Sequence, residues 1–197
     1  MRFYLKNRYQ SFCHIPQKGR KLVYNKNVRK RHVCGTSAFR AAAIIKEESA
    51  VMGVLREELR ANLLNAGAVI VGFGTLKGNE KLPYPALEQA VSYAVKLEPA
   101  GDTVWDYARA YFAAEEKVAL LAEHAKACLR RYGFSAEVMP RAFMDSETPV
   151  TEFPDQAAAV AAGLGTRNTD GLTETPEFGV DVRFGTVFTD ATWKKSE

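Results

Sequence analysis

This 197-residue chain has no run of about 18 consecutive apolar residues, so nothing in it reads as a membrane-spanning helix. Cysteine is scarce. Cys13, Cys34 and Cys128 are odd in number, widely spaced and part of no short pairing motif, which argues against both a disulfide framework and a zinc site. A reducing, cytoplasmic setting is the expectation. Acidic residues are missing altogether before Glu47. Residues 1 to 51 hold twelve Lys or Arg against Glu47 and Glu48, about +10, whereas the remainder carries fifteen basic and twenty-one acidic residues, about −6. The formal net charge of +4 therefore hides a basic leader on an acidic body.

The leader shows neither helical nor strand periodicity before Ala38-Phe39-Arg40-Ala41, and it lacks the uninterrupted apolar core of a secretory signal. Three readings stand side by side. Arg29-Lys30-Arg31-His32, with Lys18, Arg20 and Lys21, suits a phosphate-contacting arm. An Arg-rich, acid-poor start also suits a transit peptide, though serine is sparse. The plainest reading starts translation at Met52, just ahead of a well-formed helix. The expected division is a basic, poorly ordered extension over 1–51 and a single domain over 52–197, a size at which one core forms.

From Met52 to Ala66, Val54, Leu55, Leu59, Leu63 and Leu64 recur at helical spacing, and Gly67 stands where a left-handed cap is expected. Ala68 to Gly74 reads as a short buried strand. Gly72 and Gly74 suit either a strand ending in a turn or a backbone approached by a ligand. Pro83-Tyr84-Pro85 blocks helix, and the following ALEQAVSYAVKL is ambiguous between helix and strand. Thr103 to Tyr132 is a long helical pattern carrying Trp105, Tyr107, Tyr111, Phe112, Val118, Leu121, Ala122, Ala125 and Leu129, closed by Gly133. Its aromatic start suits either core or a flat ligand, and His124 with Cys128 has a two-ligand metal spacing that is weak evidence alone. Phe134 to Pro140 alternates like a strand.

Chemistry is expected next, at Arg141 to Pro149. An acid at a strand end, such as Asp145, sits where burial raises its pKa towards neutrality and suits it to donate a proton. Asp145-Ser146 before Pro149 is equally an ordinary cap or turn. An Ala-rich helix, Asp155 to Ala162, then ends at Gly163-Leu164-Gly165. A polar loop follows from Thr166 to Gly171, then a turn at Pro176-Glu177-Phe178-Gly179 and a strand from Val180 to Thr189.

This order of Asp145-Ser146, Gly163-Leu164-Gly165, Pro176 to Gly179 and Arg183 to Ala191 resembles the cobalamin-binding domain of the epoxyqueuosine reductase family, which is related to reductive dehalogenases. The resemblance extends weakly back to Leu55. It implies an α+β fold, a nitroreductase-like sheet with flanking helices, and favours helix leading into strand over residues 86–97. It also implies cobalamin as cofactor, with Gly163, Leu164 and Gly165 approaching the corrin and Tyr107 and Arg109 in a matching Tyr-Ala-Arg segment. Asp145 matches the proton donor, and tRNA is the implied substrate. The cofactor carries the reduction; the protein positions and protonates.

The sequence departs from the family pattern in three places. Thr166-Arg167-Asn168-Thr169 replaces Trp-Ile-Gly-Lys, and Glu147-Thr148 adds one residue before Pro149. The chain also ends at Glu197, where the family continues into a cysteine-rich ferredoxin module; three scattered cysteines hold no iron-sulfur cluster. Two functions follow as expectations. One is a stand-alone corrinoid-dependent reductase fed by a separate iron-sulfur or flavin protein. The other is a non-catalytic module that binds a corrinoid or a partner and keeps the fold without the activity.

Overall fold

Leu55, Leu59 and Leu63 recur every fourth residue and are fully buried, so the first helix presents one narrow apolar stripe. The computed structural model describes residues 38–78, 82–138 and 155–193. In it α1 runs from Ala38 to Asn65. Met52 thus lies within the helix, which crosses the 51/52 boundary without a break. Val54 and Leu64, expected on the apolar face, are exposed. They flank the stripe, because 3.6 residues per turn carries each about 100° away from Leu55 or Leu63.

The remaining elements are β1 (Ile70–Thr75), β2 (Gln89–Lys96), α2 (Val104–Arg131), β3 (Ala136–Val138), α3 (Asp155–Ala161), β4 (Thr166–Arg167), β5 (Thr173–Glu174) and β6 (Val182–Thr189). Four strands form one antiparallel sheet in the order β1-β2-β6-β3. The fold is α+β.

The sheet separates two layers. Val91, Tyr93 and Val95 of β2 share a face with Val187 of β6 and Val71 of β1, and they pack with the α1 stripe and with Val118, Leu121, Ala125 and Leu129 of α2. The alternate residues, Ala90 and Ala94 of β2 with Phe184 and Phe188 of β6, face α3 through Ala158 and Ala159. This arrangement corrects the reading of 86–97 as helix leading into strand. β2 lies between β1 and β6 and is buried on both faces, so its apolar residues form a continuous run without alternation. Turns cover Pro83 to Ala86, with Leu87 N–H donating to Tyr84 O at 2.9 Å.

The α2 boundaries follow from local chemistry. Thr103 Oγ1 accepts from Asp106 N–H at 3.1 Å, and the Asp106 carboxylate accepts in return from the Thr103 backbone, closing a capping box. At the other end Gly133 adopts φ 84°, Gly133 N–H reaches Arg130 O and Phe134 N–H reaches Leu129 O. That is a Schellman ending, and buried Phe134 supplies its apolar contact. α1 and α3 finish in the same way, at Gly67-Ala68 and Gly163-Leu164.

Candidate functional site

A 28-residue helix is about 42 Å long, whereas the eight-residue strands beneath it span about 27 Å. α2 therefore overhangs the sheet. Its core-facing stripe, read back from Val118 through Ala114, continues at Tyr111, Tyr107 and Val104, and these last three are exposed. The aromatic start of α2, open in the sequence between core and a flat ligand, is not core: the stripe points inward but runs past the sheet end.

Arg183 stands where β6 meets this overhang. Its Nε donates to Glu115 Oε2 of α2 at 2.7 Å, its Nη1 lies 3.5 Å from Asp155 Oδ2 of α3, and the same nitrogen donates to Phe184 O at 3.1 Å. The guanidinium sits over the Tyr111 ring, 5.5 Å from its centroid. β3 pairs only with residues 187–189, so among the described residues the edge of β6 from Arg183 to Thr186 has no strand beside it. The side chain links the layers on the two sides of the sheet around that edge.

Asp155 receives the weaker share of Arg183. Its side chain is 15% exposed, and Oδ1 makes no hydrogen bond of good geometry among the described residues. Burial raises its pKa above the ordinary carboxylate value. The Thr186 hydroxyl, which is near but poorly aligned, and Arg183 oppose that rise, while Glu115 adds to it. Tyr93, deep beneath α2, donates to Val118 O at 2.8 Å, and burial pushes its phenol far up.

The residues expected to hold a cofactor do not form one group. Tyr107 is on the inward stripe of α2. Arg109, two residues on, is turned about 160° away to the outer surface. Gly163 to Gly165 belong to the opposite layer. Gly163 takes φ 73° at the Schellman end of α3. Leu164 fills the notch over Gly72, where a β-carbon would meet it at 2.7 Å. Gly165 lies against β5, so that a β-carbon there would come within 2.3 Å of Glu174 O.

The expected polar loop is a small hairpin. Thr166 pairs with Glu174 and Arg167 with Thr173, and Asn168 Oδ1 accepts from the backbone N–H groups of Asp170 and Leu172. Gly165 is thus closed by the chain's own backbone. Above Gly163, by contrast, nothing lies within 4 Å of where a β-carbon would stand.

Asp145 lies outside the described residues. The residues on either side of its segment do not: Val138 pairs with Val187 and Asp155 contacts Arg183, so both anchors stand along β6. His124 is exposed, while the Cys128 thiol is buried beside Arg131 and Asn62, and no group of three metal-ligating side chains occurs among the described residues. No described helix is long and apolar enough to cross a membrane. Arg183, Asp155 and Glu115 escaped the sequence reading as site residues. The one available signal was Arg183, an arginine opening a strand whose other members are apolar or small.

No protein-family model and no curated protein matches the sequence. Solved structures do. A reductive dehalogenase described with a mechanism for B12-dependent dehalogenation is 26% identical, with a TM-score of 0.54, over 70% of this chain and 20% of its own. Epoxyqueuosine reductase bound to a tRNA-Tyr stem loop carrying epoxyqueuosine is 17% identical, with a TM-score of 0.51, over 73% of this chain and 47% of its own. The Bacillus subtilis epoxyqueuosine reductase, captured with its catalytic aspartate loop swung out of the active site, is 16% identical at the same TM-score. The chain spans about a fifth of the dehalogenase and just under half of the reductases. Its fold is similar to that of epoxyqueuosine reductases and reductive dehalogenases, as the resemblance in the sequence implied.

Proposed function

We propose that the chain is a reductase-type domain of the corrinoid-dependent class, taking electrons from a separate iron-sulfur or flavin protein. The observation that carries this reading is the 26% identity to a B12-dependent dehalogenase across 70% of the chain. A corrinoid, when bound, would supply the reducing chemistry. This chain would supply position and a proton. Asp145 is the acid by resemblance, and the described residues that flank its segment, Val138 and Asp155, both meet β6. A tRNA substrate follows only by likeness to the stem-loop complex.

A second reading, a module that keeps the fold without the reaction, draws on one feature. Gly165 is closed against Glu174, so one of the residues expected at the corrin is committed to internal packing.

Titration of the purified chain with cob(II)alamin, followed by its visible spectrum, tests the first reading. Binding in the micromolar range supports it, and no spectral change at 100-fold excess removes the corrinoid from the account. With binding established, Asp145→Asn should abolish turnover of an epoxyqueuosine stem loop under a chemical reductant while leaving the affinity for cob(II)alamin unchanged. Unchanged turnover would remove Asp145 from the mechanism.

A further inference from the structure

The outward face of α2 carries a stripe that neither the core nor the overhang uses. Trp105, Arg109, Phe112, Glu116 and Leu120 follow one another at steps of four, three, four and four, the spacing of a single helix face. Trp105 is 75% exposed, Phe112 65% and Leu120 65%. Neither Arg109 nor Glu116 makes a salt bridge among the described residues. Large exposed apolar groups concentrated on one face mark an interaction surface.

We infer that this face pairs α2 with α2 of a second copy of the chain, antiparallel about a twofold axis between Phe112 and Ala113. An isologous contact requires the patch to be complementary to itself when reversed. Reversal about that point sets Arg109 opposite Glu116 of the other copy, in both directions. It sets Trp105 opposite Leu120, again twice, and brings the two Phe112 rings together at the axis. The sequence of the stripe therefore pairs charge with opposite charge and apolar with apolar without any change of register. The same reversal sets Asp102 opposite Glu123, whose charge is already paired with Lys126 at 3.0 Å.

The area sets the strength. With Trp105 and Phe112 aromatic side chains of about 150–250 Å², Leu120 smaller, and all three only partly exposed, they supply roughly 400 Å² per copy, or about 800 Å² together. The stems of Arg109 and Glu116 bring the total near the ~1,000 Å² at which specific contacts begin. The dimer is accordingly weak and concentration-dependent. It leaves the inward stripe and Arg183 free.

Sedimentation velocity on the full chain across about 2–300 μM is the test, because a dissociation constant of tens of micromolar falls inside that range. The expected result is a monomer–dimer equilibrium with a blue shift of tryptophan emission as the dimer forms. Arg109→Glu and Glu116→Arg should each weaken association at least about 10-fold, and the double reversal R109E/E116R should restore it, since opposite charges then face each other again. Restoration also excludes misfolding as the cause. A chain that stays monomeric throughout, or a dimer indifferent to Arg109→Glu and Phe112→Ala, overturns the inference. So would a different partner chain or ligand that occupies this face and leaves the free protein monomeric.

Discussion

The ring of Tyr93 lies over the α-carbon of Gly185, its direct partner across the β2–β6 ladder. A β-carbon at 185 would fall 2.7 Å from the ring. The ring has nowhere to retreat, being wholly buried, with its hydroxyl held by Val118 O. Gly185→Ala should therefore cost about 1–3 kcal/mol, the usual penalty of overpacking a filled core. Tyr93→Phe keeps the ring and loses only the hydrogen bond, so about 1 kcal/mol is expected. Urea denaturation of both variants checks the order, and a Tyr93→Phe loss larger than that of Gly185→Ala would contradict it.

How much of this was legible follows from the same pair. Strand β6 could be read from its length, its β-branched and aromatic residues and its flanking turn, and the three helix ends from their glycines. Gly185 gave no sign of its purpose, because the ring that needs the space lies 92 positions earlier. Gly72 and Gly74 were open to a turn or a ligand and turn out to admit Leu164 and the end of α3. Strand β2 was ambiguous because burial on both faces removes the alternation that marks a strand. The site was harder still. Whether the aromatic residues of α2 face core or solvent depends on where the sheet stops beneath them. Periodicity places Tyr107 and Val118 on one stripe and says nothing about where the sheet ends.

Two glycines with opposite expected responses test the close approach of α3 to β1. A β-carbon on Gly74 would lie 2.7 Å from the Ala161 carbonyl and the Ala162 nitrogen, which are backbone atoms with little freedom to move. Gly74→Ala should destabilise by roughly 2–3 kcal/mol, towards the upper end of overpacking costs. Gly53, within α1, has nothing within 4 Å of the same position. Gly53→Ala should stabilise by about 0.5–1 kcal/mol, the helix preference of alanine over glycine. Thermal melts read both, and a loss at Gly53 would mean that face of α1 is covered.

Cys128 should be an inert thiol in the folded protein. It is buried, and burial pushes its pKa up to about 11; the Glu58 charge adds to the rise, and Arg131 opposes it. At pH 8 only about one thiol in a thousand is then thiolate, the reactive form. In a C13S/C34S chain, iodoacetamide at pH 8 should leave Cys128 unmodified over hours and alkylate it within minutes in 8 M urea. Rapid labelling under native conditions would show that the contact between α1 and α2 opens.

The pH dependence of stability isolates Asp155. Burial outweighs Arg183, whose stronger bond goes to Glu115 at 2.7 Å against 3.5 Å to Asp155, so the folded protein holds the Asp155 proton more tightly than the unfolded chain does. Between the ordinary aspartate value and the raised folded value, the native state carries more protons, and stability therefore falls as pH rises. The contribution is complete below the unfolded pKa and is lost as pH climbs through the folded one. Asp155→Asn mimics the protonated side chain and leaves Arg183 bonded to Glu115. Its unfolding free energy should match the parent near pH 4 and exceed it progressively towards pH 7, flattening the slope. Guanidinium denaturation at half-unit pH steps measures the difference. A variant that loses stability most at neutral pH would mean that the Arg183–Asp155 attraction, and not burial, governs this edge of the sheet.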